Sequence, residues 1–168
     1  MSLLFAENTQ KAGFFINHER GMIMPALGTI TGAITRIQTQ QGRPQIVTVV
    51  LTCTASADNA SYPATVVNTL ENISTWDLRG LKLYSVKAIP GDKAPTDATD
   101  LTITDEYGVD LLGGKGENLI DATSKTWIPA GPSNFALPAL ITGNITVNIT
   151  NNSVNSAVTT IVLELVGD

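Results

Sequence analysis

Apolar residues recur with a period of two in four separate stretches of this chain, and that pattern limits the fold more than any other feature of the sequence. The stretches are Val47, Val49, Leu51 and Cys53; Leu101 and Ile103; Ile145, Val147 and Ile149; and Ile161, Leu163 and Leu165. Successive side chains of a strand point to opposite faces, so each stretch turns one apolar face inward and mostly Thr or Asn outward. Between them lie Gln41-Gly42-Arg43-Pro44, Ala57-Asp58-Asn59, Pro90-Gly91-Asp92, Tyr107-Gly108, Gly113-Gly114 and Asn151-Asn152. Each of these supplies a residue that tolerates positive φ or fixes a turn. Strands at such spacing, with no long helical pattern between them, predict an all-β fold: an antiparallel β-sandwich, jelly-roll-like, over residues 27–168. A domain of this length buries roughly 70% of its unfolded surface and needs no disulfide or metal to hold it.

Other segments read less simply. Ile30, Ile34 and Ile37 fall at helical spacing, but their β-branching and the neighbouring Gly28 and Gly32 favour a strand with an irregularity. In 81–89, Leu81 and Leu83 share one face while Tyr84, Val86 and Ala88 share the other, which predicts a bulge or a strand covered on both sides. ENISTWDL, residues 71–78, is the best helix candidate, with room for one or two turns. Residues 113–138, rich in Gly, Pro and Ser, read as a long excursion loop suited to partner contact. Residues 1–26 carry Phe5, Phe14, Phe15 and Ile16 without a clear period, together with the sole histidine, His18. They are read as an extended N-terminal arm reaching a neighbour.

The chemistry available to the chain is narrow. A net charge of -5 with no basic cluster lacks the electrostatic footprint of nucleic-acid binding. Glu7 ends the N-terminal apolar patch before it reaches signal-peptide length, and no run approaches a membrane span, so the chain reads as soluble and made without export. Cys53 has no partner for an intramolecular disulfide and sits in an apolar run, as a buried small hydrophobe does. GGKGEN at 113–118 lacks the Gly four residues ahead of Gly-Lys and the following Ser or Thr of a phosphate loop. Asp97, Asp100, Asp105, Glu106 and Asp110 cluster, but not in the order of a calcium loop, and read as solvated carboxylates. No Gly-x-Ser-x-Gly elbow accompanies His18, so no catalytic residue, cofactor or metal is assigned. Trp76, Tyr84 and Trp127 would suit a carbohydrate-stacking platform, although core anchoring is the favoured reading for so few aromatics.

The segment YSVKAIPGDKAPTDATDLTITDEYGVDLLGGKGEN, residues 84–118, resembles small structural proteins encoded among bacteriophage head and tail genes. The matching positions are Pro90, Gly91, Pro95, Thr96, Asp105, Gly108, Asp110, Leu112, Gly113, Gly114, Gly116 and Asn118, with weaker similarity over Thr29 to Leu83. Pro138, Gly143 with ITVNIT, and TTIVLELV resemble the family's later strands. The chain departs from the family pattern in the LIDATSK that follows Asn118 and in lacking an aromatic residue in the last strand. Physically, Asp105, Gly108, Asp110, Gly113 and Gly114 suit a turn braced by carboxylates that cap backbone amides. The resemblance implies a virion structural protein without enzymatic activity, in the first instance a capsid decoration (cement) protein on the capsid exterior. It would assemble as a homotrimer and bind the major capsid protein, with Phe5, Phe14, Phe15, Ile16, His18 and Trp127 as contact candidates. A tail-associated module that recognises host glycans is the alternative, and a small hydrolase using Asp105 and Asp110 is a third reading.

Overall fold

The computed structural model describes residues 27–37, 45–132 and 137–167. The strands are β1 (Thr29–Ile37), β2 (Ile46–Thr54), β3 (Thr65–Val66), β4 (Lys82–Pro90), β5 (Asp100–Thr104), β6 (Thr126–Pro129), β7 (Ala139–Leu140), β8 (Thr146–Thr150) and β9 (Val158–Val166). They form two antiparallel sheets. The larger runs β1-β2-β9-β4-β6, with β7 also pairing β4, and the smaller runs β3-β8-β5. The expected all-β sandwich is present.

All four alternations fall on strands, with Ile145 one residue ahead of β8, and all their apolar members are buried. Val47, Val49, Leu51 and Cys53 on β2 lie beside Leu165, Leu163, Ile161 and Thr159 on β9. Leu101 and Ile103 on β5 lie beside Ile149 and Val147 on β8. Side chains from both sheets join one buried cluster. At roughly 25 cal/mol per Å² of apolar surface removed from water, each of these aliphatic side chains contributes about 1.5–3 kcal/mol, and this shared core holds the sheets together.

The bulge falls within 81–89. Leu83 pairs with Leu165, Ser85 with Glu164 and Val86 with Leu163, so Tyr84 is the extra residue. Its insertion moves the core-facing positions from odd to even numbers, which is why Leu81 and Leu83 and then Val86 and Ala88 are all buried. The bulge also extrudes Tyr84, whose carbonyl accepts a bond from the Ala130 N–H at 2.9 Å.

β1 corrects an expectation. It pairs with β2 over nine residues without any shift of register. Ile30 and Ile34 lie on the core side and Ile37 on the outer side, so the apparent helical spacing joins residues of two faces. Gly32 is there for packing: a Cβ would meet Ile73 Cδ1 and Leu70 Cδ1, each at 2.8 Å.

The helix of ENISTWDL is one turn, α1 (Thr75–Leu78), with Leu78 buried beneath it. The Asp77 carboxylate accepts the Ser74 N–H at 2.7 Å and hydroxyl at 2.8 Å, and it pairs with Arg36 of β1. These bonds, the Ser74 amide first, hold the Asp77 carboxyl down to about 2. Burial pushes the Cys53 thiol up to about 12.

Candidate functional site

The motif that carries the resemblance folds into a continuous strap along the free edge of β5. Thr99 and Ile120 exchange backbone bonds at 3.1 and 2.9 Å, the Leu101 N–H reaches the Gly116 carbonyl at 2.8 Å, and the Leu111 N–H reaches the Ile103 carbonyl at 2.7 Å. Thr99, just ahead of β5, and Leu101 and Ile103 within it are thus anchored to the strap, which closes an edge that would otherwise present unpaired backbone groups. Gly116 permits the middle anchor, since a Cβ there would stand 1.8 Å from the Leu101 carbonyl oxygen.

Carboxylates hold the strap's shape. Asp105 Oδ1 accepts the Tyr107 N–H at 2.9 Å and the Val109 N–H at 2.8 Å, while the Asp105 and Val109 backbones bond across the turn at 3.0 Å. Asp110 Oδ1 accepts the Leu112 N–H at 3.0 Å and its Oδ2 the Gly114 N–H at 2.7 Å. Asp100 Oδ1 accepts the Asn118 N–H at 2.7 Å, and its other oxygen accepts from the Asn151 side-chain amide. Gly108, Gly113 and Asn118 take the positive φ that these turns demand. Leu111, Leu112, Leu119 and Ile120 pass underneath into the core. Glu106 points away from these turns, accepting the Thr142 hydroxyl at 3.3 Å.

Asp105 and Asp110 act on opposite flanks of Gly108, each engaged with its own pair of amides, rather than facing one another across a cleft. A shallow pocket of about 180 Å³ opens beside the strap, lined in part by Asp100, Asp110 and Glu117. Among the described residues no group of three His, Cys, Asp or Glu is placed to hold a metal ion.

The braced turn presents Tyr107 and Val109 to solvent beside the exposed Glu106. Tyr107 and Val109 flank Gly108 at the tip of the turn, 81% and 60% exposed. The sequence marks Tyr107-Gly108 as a turn but offers neither Tyr107 nor Val109 as a contact candidate. The available signal was their chemistry: an aromatic and a β-branched residue either side of a turn glycine have no core within reach.

The other candidates are scattered. Phe5, Phe14, Phe15, Ile16 and His18 lie outside the described residues, as does the whole of the arm over 1–26. Trp127 is on β6, opposite Lys87 of β4. It is 55% exposed, and Tyr84 and Trp76 are 53% and 83% exposed, which corrects the reading of all three as core anchors. Trp127 occupies an outward position, Tyr84 is extruded by its bulge, and Trp76 sits on a one-turn helix whose buried contact is Leu78. Residues 113–138 are likewise no plain excursion: they contain the anchored strap and β6, and residues 133–136 within them are not described. No helix among the described residues is long and apolar enough to cross a membrane.

No protein-family model matches this chain, and no curated protein matches it. Among solved structures, a chain of the "Cyanophage Pam1 capsid asymmetric unit" matches 96% of this chain and 100% of its own length, at 12% identity and a TM-score of 0.35.

Proposed function

We propose that this chain is a structural protein of a bacteriophage particle, a decoration protein that binds the assembled shell of major capsid protein from outside and stabilises it without catalysis. The observation that carries the reading is the strap. The motif carboxylates Asp105 and Asp110 are committed to backbone amides, and the result is a braced turn that displays Tyr107 and Val109. A rigid apolar tip suits docking, because little side-chain or loop entropy is lost when it is covered. The resemblance of residues 84–118 to phage head and tail proteins supports a virion setting. The strand order, with β9 between β2 and β4 and β8 between β3 and β5, supports a jelly-roll reading of the sandwich.

A protein that binds only the assembled shell stabilises it by about RT ln(1 + [L]/Kd) per site. Assembly as an oligomer would strengthen this through effective concentration. The arm of residues 1–26 and the tip at Tyr107 and Val109 are the proposed shell contacts. Cryo-electron microscopy of the particle tests the reading: regular copies on the capsid exterior are expected, with loss of shell binding in a Tyr107→Ala, Val109→Ser double variant. Deleting residues 2–20 without loss of binding removes the arm from the account.

The exposure of Trp76, Tyr84 and Trp127 favours one second reading, a tail-associated module whose aromatics stack on host glycans. Density confined to a tail tip, with binding on a glycan array that Trp127→Ala abolishes, would replace the first reading with this one.

A further inference from the structure

The two sheets differ on the faces turned away from the core. On the small sheet β5 is edged by the strap, whereas most outward side chains of the large sheet are at least partly exposed. Register assigns that face row by row. Ile37, Ile46, Val166, Lys82 and Leu140 stand opposite one another across β1, β2, β9, β4 and β7. The next row is Thr35, Thr48, Glu164, Ser85 and Pro129. After it come Ala33, Val50, Val162, Lys87 and Trp127. Two rows are therefore dominated by apolar side chains, and Ile37, Ile46, Trp127 and Leu140 on them are exposed.

The face carries few charges. Lys82, Lys87 and Glu164 are the charged residues of the three rows, and the Glu164 carboxylate is held by Lys87 and by the Ser85 hydroxyl. Those bonds, Lys87 first, keep the Glu164 carboxyl below its ordinary range. A solvated sheet face is ordinarily far richer in unpaired charge.

We propose that a second copy of this chain covers this face, sheet packed on sheet. With nine residues in each of β1, β2, β9 and β4 and six in β6 and β7 together, at about 3.4 Å per residue and about 4.8 Å per strand, the face spans roughly 700 Å². A stable protein–protein interface buries about 800 Å² per partner, so the face has the size an assembly of copies needs. A single extended segment would cover only one stripe of it, whereas an equal sheet about 10 Å away covers its full width. Identical faces also match apolar row to apolar row, as an isologous contact requires. This inference concerns the isolated protein and stands apart from shell binding.

The test is the mass of the full chain in solution, by size-exclusion chromatography with light scattering and by native mass spectrometry at micromolar concentration. A dimer, or an even-numbered assembly built on that two-fold contact, is expected, and an odd-numbered oligomer overturns it. Val50→Lys, at the centre of the face, is expected to weaken self-association at least about 100-fold, because an unpaired ammonium would be buried there. Val109→Glu, on the turn of the other sheet, is expected to leave the mass unchanged. Far-UV circular dichroism checks that Val50→Lys is folded; if it is not, Ile46→Lys at the rim decides in its place. A monomeric full chain overturns the proposal, including the case in which residues 1–26 cover the face instead. So does a folded face variant that keeps the parent mass, or equal dissociation by Val109→Glu.

Discussion

Two glycines of the strap, two residues apart, should respond to the same substitution by different amounts and for different reasons. At Gly116 a Cβ would lie 1.8 Å from the Leu101 carbonyl oxygen and 2.9 Å from its carbon, against the 3.0 Å that real Cβ atoms respect. In Gly116→Ala the strap must therefore retreat by more than about 1 Å, and the 2.8 Å bond from the Leu101 N–H to the Gly116 carbonyl is lost. Overpacking costs about 1–3 kcal/mol and the lost backbone bond about 0.5–1.5 kcal/mol, together roughly 2–4 kcal/mol. At Gly114 nothing lies within 4 Å of the Cβ position, but φ is +83°. The cost of Gly114→Ala is then conformational alone, about 1 kcal/mol. Urea denaturation followed by circular dichroism measures both. With a slope of about 2 kcal/mol per molar, the midpoint should fall by about 1–2 M for Gly116→Ala and by about 0.5 M for Gly114→Ala. If Gly114→Ala costs as much as Gly116→Ala, the anchoring of β5 by the strap is not what the Gly116 position serves, and the reasoning fails.

Three further outcomes follow from the same contacts. Asp110→Ala leaves the Leu112 and Gly114 amides without their acceptor and should cost about 1–2 kcal/mol by the same denaturation, whereas Val109→Ser at the exposed tip should stay within about 0.5 kcal/mol. Cys53 should resist iodoacetamide at pH 8 in the native protein and react once the chain is unfolded in urea, because burial holds its thiol up to about 12; rapid native labelling, read by mass spectrometry, would contradict its burial. The Asp77 carboxyl lies below its unfolded value, so the stability it supplies is present above about pH 4 and is lost as pH falls through about 2. Asp77→Asn should flatten the dependence of the urea midpoint on pH across that window, and an unchanged slope would show that its bonds to Ser74 and Arg36 contribute nothing.

The composition of 84–118 pointed to a braced turn before any coordinates, because carboxylates flanking a turn glycine have few local alternatives to bonding backbone amides. What those turns are attached to was not legible. That Leu101, Ile103 and Thr99 would meet Gly116, Leu111 and Ile120 depends on where the chain returns after the turn, and one-dimensional spacing carries no such information. The same limit explains the aromatics. Residue type favours Trp127, Tyr84 and Trp76 as core anchors, yet exposure is fixed by which side of a strand or helix a position occupies.

By itself, the sequence determined the fold class and the inward face of most strands. Period-two patterning acts locally, and burial of β-branched residues on one side of a strand is satisfied by any sandwich that accepts them. It also placed the short helix, since Ser74 and Asp77 cap it from within a few residues. Only tertiary structure decided the order of strands, the parity switch at Tyr84, the regular pairing of β1 along its whole length and the outward apolar rows of the large sheet. Each of these arises from pairings between residues far apart in the chain, and their energies depend on partners that no local window contains.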